Sequence, residues 1–256
     1  MSLAEERLGA LAERLRLPDL PVLLPALAEA AAVRELSYAD FAELLLAACA
    51  EAADARAVET IVRLASFPAS KTLESFDFAY QPSINRRQLL ELGGCAFVER
   101  AENVVLLGPP GVGKTHLAIA LGMEAAKRRH SVKFTTAARM VASLTEARNV
   151  GSSSRRLAAF ANPRLLIIDE VGFLPLNPEG AALLFEVVSR RYEHGSIVLT
   201  SNKSFGEWAE IFSGDAVIAT AILDRLLHHS TTIAIKGQSY RLKDKRKAGV
   251  VTTPAR

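Results

Sequence analysis

Apolar positions along the chain fall into two regimes. Through about residue 65 they recur at helical spacing: Leu8, Leu11 and Leu15 stand at i, i+3 and i+7, and Ser37 with Asp40 three residues later resembles a capping box opening a helix over 38–55. Around Phe67-Pro68-Ala69-Ser70-Lys71-Thr72 the pattern breaks, because Pro68 biases the residue before it toward extended backbone and polar residues follow. From about Asn103 the text changes to short β-rich runs at 104–107, 132–135, 165–168 and 197–200, separated by helical stretches over 115–129, 137–147, 179–193 and 216–228. Runs that are apolar without alternation belong to strands buried on both faces. The expected fold class is therefore α/β: a parallel sheet flanked by helices over 69–256, preceded by a small all-helical N-terminal domain over 1–68.

Composition narrows the class. Of 256 residues, 50% are hydrophobic and 23% charged, the balance of a globular rather than a disordered chain. No apolar run approaches the roughly 18 residues that span a bilayer, and Glu5, Glu6 and Glu13 occupy the place where a signal peptide would be basic and then apolar. A cytoplasmic protein with no membrane partner is expected. Cys49 and Cys95 lie in Ala- and Gly-rich surroundings without CxxC or Cys/His spacing, so they are read as small buried hydrophobes. The formal net charge of +3 does not by itself argue for nucleic acid, but its distribution is uneven. Through Ala65 six arginines face eleven carboxylates, which leaves that segment near −5 and the remainder near +8.

Candidate chemistry begins at Gly108-Pro109-Pro110-Gly111-Val112-Gly113-Lys114-Thr115, a full match to GxxxxGK[ST] placed directly after one apolar run and before a helical one. Glycines let such a loop turn its N–H groups inward around phosphates, and the helix start adds partial positive charge. Lys114 is expected to reach the β- and γ-oxygens of ATP and Thr115 to ligate Mg²⁺, with His116 next to them on the nucleotide side. A second run ends in Leu165-Leu166-Ile167-Ile168-Asp169-Glu170. Asp169 is expected on the metal side, and Glu170 as the base that orients and deprotonates an attacking water, which distinguishes a hydrolase from a kinase. Asn202, closing Ile197-Val198-Leu199-Thr200-Ser201-Asn202, reads either as a γ-phosphate contact at the strand C-terminal edge or as a turn residue capping the next helix. Arg225, in Leu223-Asp224-Arg225-Leu226-Leu227, reads as a solvated face or as an arginine presented to a neighbouring subunit's γ-phosphate. Arg241 is equally open from spacing alone.

Longer segments carry a resemblance. FDFAYQPSINRRQLLELGG, ENVVLLGPPGVGKTHLAIALG, FTTAARMV, RLLIIDEVGFLPLNPEGAALLFEVVSRRYEHGSIVLTSN and LDRLLHHSTTIAIKGQSYRLK occur in order and together resemble the IstB family, ATP-binding helpers of bacterial insertion sequences; the likeness runs from about Leu8 to Arg246. It implies an AAA+ P-loop ATPase that hydrolyses ATP with Mg²⁺, assembles as an ATP-dependent homo-oligomer on double-stranded DNA, is stimulated by it, and serves a transposase. By position, Asn202 matches the sensor-1 asparagine, Arg225 the arginine finger and Arg241 a sensor-2 arginine, while Phe76-Asp77-Phe78 resembles the linker that closes over adenine, or a plain domain-linking strand. The related DnaC-type helicase loaders, which act on single-stranded DNA, are the alternative within the same fold. This chain departs from the family in holding only Arg56 and Arg63 just before Phe67-Pro68, which shifts the candidate DNA contacts to Arg139, Arg148, Arg155 and Arg156.

Overall fold

A computed structural model describes residues 3–243, so the ends of the two sequence-delimited domains, 1–2 and 244–256, lie outside the described residues. Packing divides the chain into two compact units, 1–60 and 61–256, with the division falling within a helix. The first unit is helical: α1 (Leu3–Arg14), α2 (Leu20–Val33) and most of α3 (Tyr38–Ala65). Ser37 Oγ accepts from the Asp40 amide at 3.2 Å and donates to the Asp40 carboxylate at 2.7 Å, so the expected start of α3 is present as a one-sided cap. The helix continues to Ala65, well past the expected 55, and α2 escapes a periodicity reading because Pro18, Pro21 and Pro25 punctuate it. Pro21 sits where a helix tolerates proline, in the first turn. Arg56 is ion-paired with Asp19 within this unit.

The second unit contains α4 (Arg86–Gly93), α5 (Ala96–Glu99), β1 (Asn103–Leu107), α6 (Lys114–Lys127), β2 (Val132–Thr136), α7 (Ala137–Asn149), α8 (Ser153–Ala161), β3 (Leu165–Val171), α9 (Pro178–Arg191), β4 (Ser196–Ser201), α10 (Trp208–Ile211), α11 (Ala216–Leu227) and β5 (Ser230–Ala234). The strands pair in the order β2-β3-β4-β1-β5, all parallel. β5 adds to the four strands expected from sequence. Its run, STTIA, buries only Ile233 and carries no apolar signature; parallel pairing with β1, from Asn103 opposite Ser230 to Leu107 opposite Ala234, makes it a strand.

Period-two alternation assigns the two faces. Val104 and Leu106 of β1, Leu165 and Ile167 of β3, and Val198 of β4 enter one core with Leu117 and Leu121 of α6. Their neighbours Val105, Leu166, Ile168, Ile197 and Leu199 enter the other with α7, α8, α9 and α11. Helices thus cover both faces of the sheet, and all five strand C-termini open on one edge. Cys49 and Cys95 are buried free thiols, as expected, and burial pushes the Cys95 thiol up to about 11. No helix among the described residues is long and apolar enough to cross a membrane.

One buried charge organises the second core. Arg191, 1% exposed at the end of α9, donates through Nη1 to the carbonyls of Phe160, Ala161 and Pro163 and through Nη2 to those of Arg164 and Ser196, at 2.7–3.2 Å. It therefore caps the C-terminal carbonyls of α8 and ties the entries of β3 and β4 together; burial pulls its pKa down to about 10. The rigid five-donor fork suits this task as no other side chain does. Arg191→Met should leave several buried carbonyls unpaired and cost about 3–5 kcal/mol, read as a lower urea midpoint, with Arg191→Lys falling between it and the native chain.

Candidate nucleotide-binding and hydrolysis site

The phosphate loop begins where β1 ends. The Gly108 amide donates to the Ser201 carbonyl at 3.1 Å, holding the loop against the end of β4, and its φ of 153° is glycine territory. Gly113 closes the loop at φ 103°, and a Cβ there would lie 2.6 Å from the ring of Phe76. With glycine at the N-cap of α6, no side chain covers the first-turn amides, which leaves them directed at the loop interior. Lys114 Nζ donates to the carbonyls of Gly108 and Pro109 at 2.6 and 2.8 Å, curling back over the loop. Partial burial lowers the Lys114 pKa; the Asp169 carboxylate opposes this and Arg241 adds to it.

Beside the loop, the ends of β3 and β4 form a hydrogen-bonded chain. Thr115 Oγ1 donates to both Asp169 oxygens at 3.0 Å, and Thr200 Oγ1 donates to Asp169 Oδ1 at 2.5 Å. The Glu170 amide in turn donates to Thr200 Oγ1 at 3.0 Å. Asp169 is 3% exposed, whereas Glu170 is exposed and sits at φ 61° on a register shift between Ile168 and Val171. This bulge turns two consecutive acids to different tasks: one carboxylate is buried against the loop, the other projects from the sheet edge. A hydroxyl and a carboxylate converging at 3.0 Å form a hard oxygen donor set, which fits Mg²⁺. Asn202 follows directly on Ser201, the partner of Val171, so it stands exposed at the same edge as Glu170.

A cavity of about 430 Å³ adjoins the loop, within the size range of small-molecule sites. Gly111 to His116 form one wall; Phe76, Asp77 and Gln81 form another, with Tyr240 and Arg241 from the C-terminal segment. The two outer walls are stitched together. Tyr80 Oη donates to the Ser239 carbonyl at 3.2 Å, Gln81 Nε2 to that of Gln238 at 3.0 Å, and Lys243 Nζ to Asp77 Oδ2 at 2.7 Å, while the Tyr240 amide donates to Gly111 at 2.8 Å. Asp77 is held below the usual carboxylate range chiefly by the Lys243 hydrogen bond. The segment around Phe76-Asp77-Phe78 forms turns rather than a strand, and Phe76 packs edge-on against Phe78 and the His116 ring. His116 lines the cavity but spends Nε2 on the Thr72 carbonyl at 2.9 Å; burial lowers its pKa, so the ring is neutral at pH 7.

Sequence reasoning missed Thr200, although it stands two residues before Asn202, and missed Tyr80, Gln81 and Lys243, whose partners are about 160 residues away in the chain. The structure brings Gly108 to Thr115, Asp169, Glu170 and Asn202 to one sheet edge, and Gly111 to His116 line the cavity with Arg241; Arg225 belongs to neither group. It lies on α11 with its guanidinium 4.7 Å over the Phe185 ring and a 3.0 Å bond to the Ala221 carbonyl, beside an open depression lined by Val217 and Thr220. Arg139, Arg155 and Arg156 are exposed on α7 and α8, while Arg148 is paired with Glu179 at 3.4 Å.

Comparison with known proteins places the chain. The sequence profile of the family described as IstB-like ATP binding protein matches residues 10–248. A Pseudomonas aeruginosa protein, named as an ATP-binding protein of insertion sequence IS21, is 52% identical over 96% of this chain and 92% of its own length. A Geobacillus stearothermophilus relative, named for insertion sequence IS5376, is 48% identical over 94% of this chain and 96% of its own. Among solved structures, the DnaC helicase loader overlays with a TM-score of 0.53 at 22% identity, covering 64% of this chain and 96% of that one. AMPPCP-bound DnaA from Aquifex aeolicus gives 0.56 at 19% identity, covering 75% and 58%. These structural likenesses carry the fold alone, and the sequence matches carry the family: the chain belongs to the IstB-like ATP-binding proteins.

Proposed function

We propose that this protein is a Mg²⁺-dependent ATPase that assembles as a homo-oligomer on double-stranded DNA and serves a transposase as its helper in DNA transposition. The observation that carries the hydrolytic part is the chain Thr115–Asp169–Thr200–Glu170, which sets a metal-side carboxylate and a projecting glutamate beside one phosphate loop. The insertion-sequence names of relatives covering nearly the whole chain support the transposition setting.

In this reading the inward amides of 111–115 and the start of α6 hold the phosphates, and Lys114 swings from the Gly108 and Pro109 carbonyls to the β- and γ-oxygens. Thr115 and Asp169 would hold Mg²⁺, which when bound neutralises charge on the β- and γ-oxygens. Glu170, exposed at the sheet edge, orients the lytic water and takes its proton, with Asn202 beside it as a second contact for that water and the γ-phosphate. Arg241 adds positive charge on the cavity's outer wall near Lys114. Arg225, remote from its own cavity, acts on the site of the adjoining subunit, where its charge stabilises the transferring phosphoryl group. Arg139, Arg155 and Arg156 are the exposed phosphate contacts offered to duplex DNA, sequence-independent by their chemistry.

Four outcomes test this. Glu170→Gln should keep nucleotide affinity and lose about 100-fold or more in kcat, in line with the worth of a general base; unchanged turnover removes the assignment. Arg225→Ala should bind ATP normally and lose on the order of 1,000-fold in kcat, the usual scale of an arginine finger. Mixing Arg225→Ala with Glu170→Gln should recover activity, because one of the two kinds of mixed interface pairs an intact glutamate with an intact arginine; no recovery rejects action between subunits. Sedimentation with duplex and single-stranded DNA should show ATP-dependent assembly on the duplex that Lys114→Ala abolishes, and preference for single strands would instead favour a helicase-loader role.

A further inference from the structure

We propose that Thr200 is a positioning residue for hydrolysis, the group that locks the metal-side carboxylate and the general base into one register. The inference rests on the reading of Asp169 and Glu170 as the hydrolytic pair and adds to it a residue outside the nucleotide-binding and hydrolytic motifs.

Thr200 is 1% exposed on β4 and is not among the residues lining the cavity. Its single hydroxyl has one proton and two lone pairs, and both functions are used. The proton goes to Asp169 Oδ1 at 2.5 Å, and a lone pair accepts the Glu170 amide at 3.0 Å. That amide needs an acceptor because the β3–β4 ladder jumps from Ile168 opposite Leu199 to Val171 opposite Ser201, so Asp169 and Glu170 together oppose Thr200 alone. The extra residue costs the ladder its regular partner for the extruded N–H. The left-handed backbone of Glu170, at φ 61°, persists only where its surroundings determine it, and the Thr200 hydroxyl is the side-chain bond that does so. A β-branched side chain on a strand has a stiff χ1, which makes the hydroxyl a precise post. Asp169 is steadied from two directions, by Thr115 from the phosphate loop and by Thr200 from β4. If Thr115 Oγ1 lent a lone pair to a metal ion, Thr200 would remain as a second hydroxyl orienting the carboxylate from β4.

The test compares Thr200→Val, which keeps the shape and removes the hydroxyl, with Thr200→Ser, which keeps the hydroxyl. Hydrogen–deuterium exchange at the Glu170 amide in protein without nucleotide should speed up about tenfold or more in Thr200→Val, the equivalent of losing one buried hydrogen bond, and stay near native in Thr200→Ser. In steady-state ATPase assays Thr200→Val should lower kcat roughly 10- to 100-fold on the same scale, raise the Mg²⁺ concentration for half-maximal rate, and leave KM for ATP within about threefold. Thr200→Ser should restore both. If Thr200→Val does not fold, Thr200→Ala makes the same comparison. Equal impairment in the Val and Ser variants would reduce Thr200 to core packing, and native kcat, Mg²⁺ response and Glu170 exchange in Thr200→Val would overturn the proposal. The amide exchange reads the bridge without any turnover, so a Glu170→Gln enzyme of native activity would sink the assignment of the base while leaving this result to stand or fall by itself.

Discussion

The arrangement at the sheet edge depends on the buried carboxylate of Asp169 and the two hydroxyls that converge on it. Thr115 arrives from the first turn of α6 and Thr200 from β4, so one acidic side chain joins the phosphate loop, the β3 terminus and the β4 terminus. A charged group 3% exposed is tolerable only with such partners, since an unpaired buried carboxylate would carry the full penalty of desolvation. The same bonds that make its burial possible define the distances between the loop, Asp169 and Glu170.

This convergence is a consequence of strand order. β1 lies between β4 and β5, and β3 lies beside β4, so the loop after β1 and the acids ending β3 flank the end of β4. All pairings are parallel, which gathers the C-terminal ends of five strands on one edge, and crossover helices cover both faces. Arg191 serves the same end from the far side: by capping α8 and tying the entries of β3 and β4, it holds the strands whose other ends carry the site. The cavity wall completes the design. Residues 76–81 and 238–243 are joined to each other and, through the Tyr240 amide, to Gly111, so the outer wall and the phosphate loop form one bonded unit.

Much of this was legible in the residues. The four apolar runs read as buried strands because they are short, β-rich and separated by helical stretches, and GxxxxGKT in register between strand and helix left little freedom for the loop. Asp169 and Glu170 announced themselves by following a core strand, and the capped start of α3 at Ser37 is a local event that neighbouring residues decide. The family resemblance extended this reading to Asn202, Arg225 and Arg241 by position.

Local chemistry did not determine the rest. β5 is polar and becomes a strand only through its pairing with β1. The wall over the cavity joins residues some 160 apart, and the role of Thr200 exists only because a bulge in β3 presents an amide to it. Sequence determined which groups are chemically able to act, since side-chain chemistry and local backbone preference belong to a residue and its near neighbours. Tertiary structure decided which of them meet, because a hydrogen bond between distant strands depends on register, and register is settled only when the whole sheet packs.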